Sequence, residues 1–251
     1  MKPGSVAWRF KNYGIYASYR YLYKDKLFKK FFESNNVQVY PSLLMLDKAC
    51  LKLGTKQIPI IEQKTSIVLS HLEEKVLTFV KKGKLFKSNI VGKQASSTRL
   101  KLLAYLITAQ RFELYCETGT QHGISAEFVS HFIENKMEVH TLDINKNMKL
   151  SSNPNIKYHI LNTPVRKNFK LITKKIIKNK KIIFFHDSDH SYENMKFEFD
   201  LAWNKLNSQA LVSDDIEGNN AFLEFAMENG LQPYFCKFDT GPMVGFVIRD
   251  F

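Results

Sequence analysis

Acidic and histidine side chains gather behind two apolar segments in the second half of the chain. The segment KIIFF is followed by HDSDH (186–190), and the segment ALVS is followed by Asp214 and Asp215. If both segments are neighbouring parallel strands, their carboxyl ends bring these acids into one cleft. Carboxylates in one cleft raise one another's pKa unless a cation neutralises them, and oxygen ligands suit Mg²⁺. The pattern therefore predicts a divalent metal site.

The chemistry of such a site would be activation of a hydroxyl group. A bound metal ion makes a hydroxyl more acidic, so its oxygen becomes nucleophilic near neutral pH. His190 lies three residues beyond Asp187, close enough to remove that proton, and the pKa of histidine suits the task. The alternative is structural, with the acids acting as helix caps and solvated loop charges. Asp189, which precedes a predicted helix at Ser191, fits that alternative.

A glycine-containing loop, ETGTQHGIS (117–125), follows an earlier apolar segment. Gly119 and Gly123 allow a tight turn and the close approach of a ligand. The spacing differs from the GxGxxG of dinucleotide-binding loops, and Glu117 would repel a pyrophosphate but suits a positively charged ligand. Asp143 ends the next apolar segment, 20 residues after Gly123, where an acid can accept hydrogen bonds from ribose hydroxyls. A purely structural turn is the alternative.

These motifs resemble those of the class I S-adenosylmethionine-dependent methyltransferases, whose first motif is acid-x-Gly-x-x-x-Gly. The ETGTQHGIS loop is similar to the ExGxxxGxS form of catechol-type O-methyltransferases. HDSDHSY, followed by a helix and LVSDDI, is similar to macrolide-sugar O-methyltransferases and cephalosporin hydroxylase proteins. The resemblance covers about residues 112–225. It implies methyl transfer from S-adenosylmethionine to a hydroxyl of a small molecule or glycan, assisted by Mg²⁺ (or Mn²⁺).

The resemblance also implies a role for each matched residue. Asp187, Asp214 and Asp215 would be the metal ligands, and His190 and Asp187 the catalytic residues. The catechol-type enzymes carry lysine at the position of His190, whereas the sugar-modifying enzymes carry histidine. Glu117 would lie near the amino group of the cofactor, Asp143 would hold its ribose and Asn162 would lie near its adenine. The full set implied for cofactor binding is Glu117, Gly119, Thr120, Gly123, Ser125, Asp143, Asn162 and Asp187.

The elements that must position these residues alternate as strand, turn and helix from about residue 96 onwards. Apolar segments FELYCE, MEVHTLDI, IKYHIL, KIIFFHD and ALVSDD are interleaved with helical patterns, and LQPYFCKF and MVGFVIRD close the chain. This alternation predicts an α/β fold, a Rossmann-like doubly wound sheet of about seven strands. The short DTGP connection predicts that the last strand is antiparallel. Residues 96–251 would form this domain, and residues 1–95 a helical N-terminal extension.

Composition sets broad limits on the kind of protein. The chain has 251 residues, of which 44% are hydrophobic and 24% charged, which is ordinary for a globular protein. It contains no apolar run of the roughly 20 residues needed to span a bilayer. Three cysteines without a CxxC spacing indicate a reducing, cytoplasmic setting. The net charge of +13 is spread over many lysines, including a lysine-rich predicted helix at 166–181, and is typical of solvated surfaces.

Several alternatives remain open from the sequence. The excess of basic over acidic residues is compatible with a nucleic-acid methyltransferase. Such enzymes, however, usually carry an Asn/Asp-Pro-Pro-aromatic run after the fourth strand, where this chain has HDSDH. A non-catalytic, hydroxylase-associated module that only holds the cofactor is a second alternative. The aromatic and basic N-terminus is compatible with peripheral membrane contact, and the N-terminal extension is a natural place for a homo-oligomer contact. The acceptor itself is not encoded in any recognised motif.

Overall fold

One sheet runs through the protein. The structure, a computed structural model, describes residues 37–81, 97–120, 122–134, 136–144, 153–160, 180–239 and 241–249. Within these ranges the strands are β1 Val39–Tyr40, β2 Leu114–Thr118, β3 Glu138–Asp143, β4 Ile156–Ile160, β5 Ile182–His186, β6 Ala210–Ser213, β7 Tyr234–Cys236 and β8 Val244–Ile248. Their spatial order is β1-β7-β8-β6-β5-β2-β3-β4. Strand β8 runs antiparallel to both β6 and β7, and the other pairs are parallel.

Helices cover both faces of this sheet. They are α1 Leu43–Ala49, α2 Gln57–Lys81, α3 Ser97–Ala109, α4 Ile124–Phe132, α5 Tyr192–Asp200 and α6 Ala221–Glu228. A π-helical turn, Leu201–Lys205, continues α5, and a 3₁₀ turn, Ile216–Gly218, follows β6. The order of elements confirms the predicted doubly wound Rossmann-like fold with an antiparallel last strand.

The strands between the helical layers are apolar on both faces. Every residue of β5 is buried, as expected for a parallel strand covered on both sides. Because side chains alternate along a strand, Ile183 and Phe185 join the core under α1 to α4, whereas Ile182 and Phe184 join the core under α5 and α6. Met195 and Phe199 of α5 and Trp203 of the π-helical turn that continues it lie in the second core.

The segment before residue 96 contains an element that the sequence did not predict. Val39 and Tyr40 form a short strand that pairs in parallel with β7, so the sheet has eight strands in the described residues rather than about seven. The helical character predicted for this region is otherwise present as α1 and α2. Buried Asp47 accepts hydrogen bonds from Tyr105 Oη at 2.9 Å and Leu53 N at 2.7 Å, which ties the end of α1 to α3. The domain boundary at residue 95 stays a prediction.

Two predicted segments lie outside the described residues: the aromatic and basic N-terminus (1–36) and most of the lysine-rich helix (166–179). In the ranges that are described, no helix has both the length and the apolar character needed to cross a membrane.

Candidate functional site

The site lies at the carboxyl ends of β2, β5 and β6. The chain order reverses between β2 and β5, since β3 and β4 continue on one side of β2 and β5 and β6 on the other. Such a switch point opens a crevice for a ligand in doubly wound sheets. The pairing extends past the strand ends, because Asp187 N donates to Thr118 O at 3.0 Å and Asp214 N donates to His186 O at 3.0 Å. The two predicted acid-bearing loops therefore start side by side.

Gly119 places the glycine loop in direct contact with the loop that carries Asp187. Its φ of +86° lies in the left-handed region, and a Cβ at this position would stand 1.9 Å from the carbonyl oxygen of Asp187. Only glycine fits there, because every other side chain begins with that atom. Gly119 N also donates to Leu142 O at 2.9 Å. The glycine loop is thus held between the end of β3 and the Asp187 loop.

The remainder of the glycine loop leads into helix α4. Gly123 also has a left-handed φ, +77°, and precedes the first turn of the helix. A Cβ on Gly123 would stand 3.1 Å from the Tyr158 hydroxyl. Ser125 is buried in that first turn, and the Thr120 hydroxyl is hydrogen-bonded to the hydroxyl of Thr141 on β3. The exposed N–H groups of a helix start are suited to a negatively charged ligand group.

Glu117 is buried at the centre of the sheet, and both of its carboxylate oxygens accept hydrogen bonds. Tyr115 Oη donates at 2.6 Å and Thr141 Oγ1 donates at 2.6 Å. Burial raises the pKa of Glu117 to about 7, although the two hydrogen bonds and the charge of Arg99 lower it. The carboxyl group therefore titrates near neutral pH, which the sequence did not indicate.

Two further residues of the predicted cofactor set follow the glycine loop along the chain. Asp143 is the last residue of β3 and is partly exposed at the same edge of the sheet as Gly119. Asn162, predicted to lie near the adenine, falls outside the described residues.

A buried arginine joins two of the predicted metal ligands. Arg99, in the first turn of α3, donates through Nη1 to Asp187 Oδ2 at 2.9 Å and to Asp214 Oδ2 at 2.8 Å. The exposed fraction of the side chain is 10% for Arg99 and 3% for Asp214. Burial alone would lower the pKa of Arg99, but the two aspartates raise it above its usual value. The sequence reasoning missed Arg99 because it lies in a helical segment ahead of the first strand and belongs to none of the motifs that were recognised.

The predicted metal ligands do not form a metal site in this arrangement. Two of their oxygens already accept from one guanidinium nitrogen. Asp215 is exposed, has a left-handed φ of +49° and makes no hydrogen bond to Arg99. In the part of the chain that the structure describes, no group of three or more His, Cys, Asp or Glu side chains is placed to hold a metal ion. The residues as arranged therefore do not fit the predicted ion.

His190, the predicted base, lies beside a second histidine. Its ring centroid is 5.2 Å from that of His186, with the rings nearly perpendicular. Its backbone carbonyl accepts from Asn219 Nδ2 at 2.8 Å, whereas its Nε2 atom is buried without a hydrogen-bond partner. Burial and the neighbouring His186 together lower the pKa of His190 to about 4, although the charge of Asp214 opposes this shift. The imidazole is therefore neutral at physiological pH and can accept a proton.

A buried carboxylate on α5 holds the loop after β5 in place. Glu198 accepts from Thr118 Oγ1 at 2.5 Å, from Ser188 Oγ at 2.9 Å and from Asn194 Nδ2 at 3.2 Å, and its Oε2 lies 2.7 Å from His186 Nδ1. One side chain on α5 thereby fixes the ends of β2 and β5 and the loop after β5. The signal for Glu198 in the sequence was an acid between Met195 and Phe199 on the apolar face of a helix. Asp189, by contrast, accepts from Ser191 N at 3.1 Å. This bond orders the turn before α5 but is not a helix cap, since the N-cap residue is Ser191 and no side chain caps the helix.

Comparison with known proteins identifies the class. Residues 116–216, about two fifths of the chain, match the family model of a methyltransferase domain. This segment runs from β2 to the turn after β6 and includes the glycine loop, Asp143, the Asp187 loop and Asp214. Over these residues the match confirms the resemblance predicted from the motifs: the segment is similar to a methyltransferase domain.

The solved structures similar to this chain include two O-methyltransferases. One is an O-methyltransferase from Bacillus cereus in complex with SAH, at 14% identity over 72% of this chain and 91% of that chain, with a TM-score of 0.49. Another is the O-methyltransferase TomG from Streptomyces achromogenes in complex with SAM, at 13% identity over 73% and 90% of the two chains, with a TM-score of 0.48. No curated protein sequence matches the chain.

Proposed function

We propose that this protein transfers a methyl group from S-adenosylmethionine to a hydroxyl oxygen of a small molecule or a sugar. The observation that carries the proposal is the contact between the glycine loop and the loop that bears Asp187 and His190, where a Cβ on Gly119 would stand 1.9 Å from the Asp187 carbonyl oxygen. A cofactor held by the glycine loop would therefore have its reactive end beside the acids and the neutral His190. Magnesium assistance is left out of the proposal because Arg99 already binds two of the predicted ligands.

The cofactor would be held by groups from three strand ends. Asp143 at the end of β3 would accept hydrogen bonds from the ribose hydroxyls, as acids at this position do in doubly wound folds. The backbone N–H groups at the start of α4 would face the carboxylate of the methionine part. Glu117, when ionised, would favour the positively charged amino group. S-adenosylmethionine supplies an activated methyl group on a sulfonium, so the protein needs only to align the acceptor and manage one proton.

His190 would receive that proton. Its Nε2 atom is buried without a partner, and its lowered pKa keeps it neutral and able to accept. The hydroxyl proton of the acceptor would move to Nε2 as the oxygen forms its bond to the methyl carbon and the carbon–sulfur bond breaks. His186, which stacks edge-on against His190 and pairs with Glu198, would hold the ring in place.

The proposal is tested by binding first and by transfer second. SAH titrated calorimetrically into the wild-type chain should bind at one site, and Asp143→Asn should weaken the binding because the ribose hydroxyls lose a charged acceptor. Radiolabelled methyl transfer is then measured against a panel of phenols, sugars and hydroxylated small molecules, with amines and RNA as comparison panels. Transfer to hydroxyls supports the proposal. Transfer confined to amines or RNA contradicts it, and SAH binding without any transfer favours the non-catalytic cofactor-binding module.

A further inference from the structure

Arg99 lies at the position where the sequence predicted a divalent ion. A single atom, Nη1, is within 2.9 Å of one oxygen from Asp187 and one from Asp214. This is a one-donor bridge between two carboxylates that come from different strands. A metal ion bound through these Oδ2 atoms would compete with the guanidinium for them, and it would stand next to a group that stays positively charged at any physiological pH.

The start of helix α3, which carries Arg99, is held by the connection between β7 and β8. Asp239, in the connection between β7 and β8, accepts from Thr98 Oγ1 at 3.1 Å and from Thr98 N at 3.3 Å. Thr98 Oγ1 in turn accepts from Phe238 N at 2.9 Å. Leu100, the residue after Arg99, is fully buried in the core under α3. The guanidinium is therefore presented by an anchored helix start and is not a freely moving surface group.

The charges also favour arginine over a metal ion at this point. The Oδ2 atoms of Asp187 and Asp214 are paired and hydrogen-bonded with one guanidinium, and such pairing is the condition under which buried charges are tolerated. A divalent ion bound at both Oδ2 atoms would displace the guanidinium, which would then lose these two acceptors. Asp215, the third predicted ligand, is exposed and turned by its left-handed φ, so it adds no hydrogen bond to this cluster.

We propose that Arg99 is the resident cation of the site. It neutralises Asp187 and Asp214, fixes the two strand-end loops against each other and takes the place of the divalent ion. Arg99 is thus a positioning residue, and the site keeps its acids in place without a metal. The proposal concerns the same cleft as the proposed function but does not depend on the identity of the acceptor.

Metal binding by chelator-dialysed protein tests the proposal directly. Mn²⁺ is titrated into the wild-type chain and into Arg99→Met, without cofactor, and free Mn²⁺ is followed by electron paramagnetic resonance. We expect no wild-type site with a Kd tighter than about 1 mM, and binding at least about tenfold tighter in Arg99→Met, where two acids are left unpaired. Lys64→Met is the control: it removes an exposed lysine that pairs with the exposed Glu134, and it should bind Mn²⁺ as the wild type does.

Each outcome of the titration either supports or contradicts the role of Arg99. Stoichiometric Mn²⁺ binding by the wild type below about 1 mM overturns the proposal, and so does equal affinity in wild type and Arg99→Met. If Arg99→Met does not fold, the wild-type titration decides alone, together with thermal unfolding. We expect Mn²⁺ to leave the wild-type unfolding temperature unchanged, and an increase would contradict the role of Arg99. SAH binding measured on the same samples reports on the proposed function, so a failure of one conclusion is distinguishable from a failure of the other.

Discussion

The Oε2 atom of Glu198 lies 2.7 Å from Nδ1 of His186, and both side chains are completely buried. The same carboxylate accepts from Thr118 at the end of β2 and from Ser188 in the loop after β5. A single acid on α5 therefore holds the two strand ends between which the switch point opens. None of these contacts involves a group that would touch the cofactor, yet they set the positions of Gly119, Asp187 and His190.

Removing the carboxylate of Glu198 should destabilise the protein strongly. In Glu198→Ala, the donors of Thr118, Ser188 and His186 would be buried without a partner, and each unsatisfied group costs about 1–3 kcal/mol. We expect a loss of about 3–5 kcal/mol in the free energy of unfolding, measured by denaturant titration. Glu193→Ala, on the exposed first turn of the same helix, is the control and should change it by less than about 0.5 kcal/mol. Similar effects of both substitutions would show that the network carries little stability.

Glu117 should make the apo protein less stable as the pH rises from about 4.5 to about 7. Its pKa is raised by burial from 4.5 to about 7 in the folded state. Between these values the unfolded chain loses the proton while the folded chain keeps it, so stability falls with pH, by at most about 3 kcal/mol. In Glu117→Gln this contribution is absent. Unfolding free energies of both proteins at pH 5 and pH 8 measure it, and an equal pH dependence in the two would contradict the assignment.

Gly119→Ala should abolish cofactor binding by forcing the glycine loop away from the Asp187 loop. Two controls separate the causes. Gly218→Ala adds a Cβ in open space at an ordinary φ, and Gly54→Ala adds one in open space at a φ of +98°. We expect Gly218→Ala to bind SAH as the wild type does and Gly54→Ala to lose stability through backbone strain, of the order of 1 kcal/mol, without losing affinity. If Gly119→Ala binds SAH normally, the two loops do not need to touch.

Replacement of His190 should separate transfer from binding. His190→Gln keeps a polar side chain of similar size but removes the proton acceptor, so turnover should fall about 10²- to 10⁴-fold while the calorimetric affinity for SAH stays within about twofold. His122→Gln, in the glycine loop, provides a matched histidine outside the acid cluster and should retain turnover. Unchanged activity in His190→Gln would mean that another group takes the proton.

The succession of strands and helices along the chain and the location of the acids could be predicted from the sequence, because each follows from a local pattern. Ile182–His186 reads as a buried strand from five residues alone, and the rule that ligands bind at carboxyl strand ends then places Asp187 and Asp214 in one cleft. The strand Val39–Tyr40 was not predicted because two residues are too few to show the alternating pattern of a strand. Its pairing depends on β7, which lies almost 200 residues later in the chain.

Arg99 could not have been predicted as a partner of Asp187 and Asp214 for a different reason. The three residues come from a helix and two strand ends separated by 88 and 115 positions along the chain, and nothing in the spacing of one reports on the others. The expectation of a metal ion came from counting carboxylates. Several carboxylates in one cleft need a positive charge to neutralise them, but their number does not show whether a metal ion or a side chain supplies that charge.

The clamp between Asp239 and Thr98 joins the last hairpin of the chain to the helix that begins the fold of this domain. The hairpin holds none of the groups assigned to chemistry, yet it decides where the guanidinium between the two acids can stand. Shortening or exchanging the β7–β8 connection would therefore shift Arg99 and change the charge balance around Asp187 and Asp214. A chimera that carries this hairpin from another enzyme would therefore also have a different arrangement of charges in the cleft.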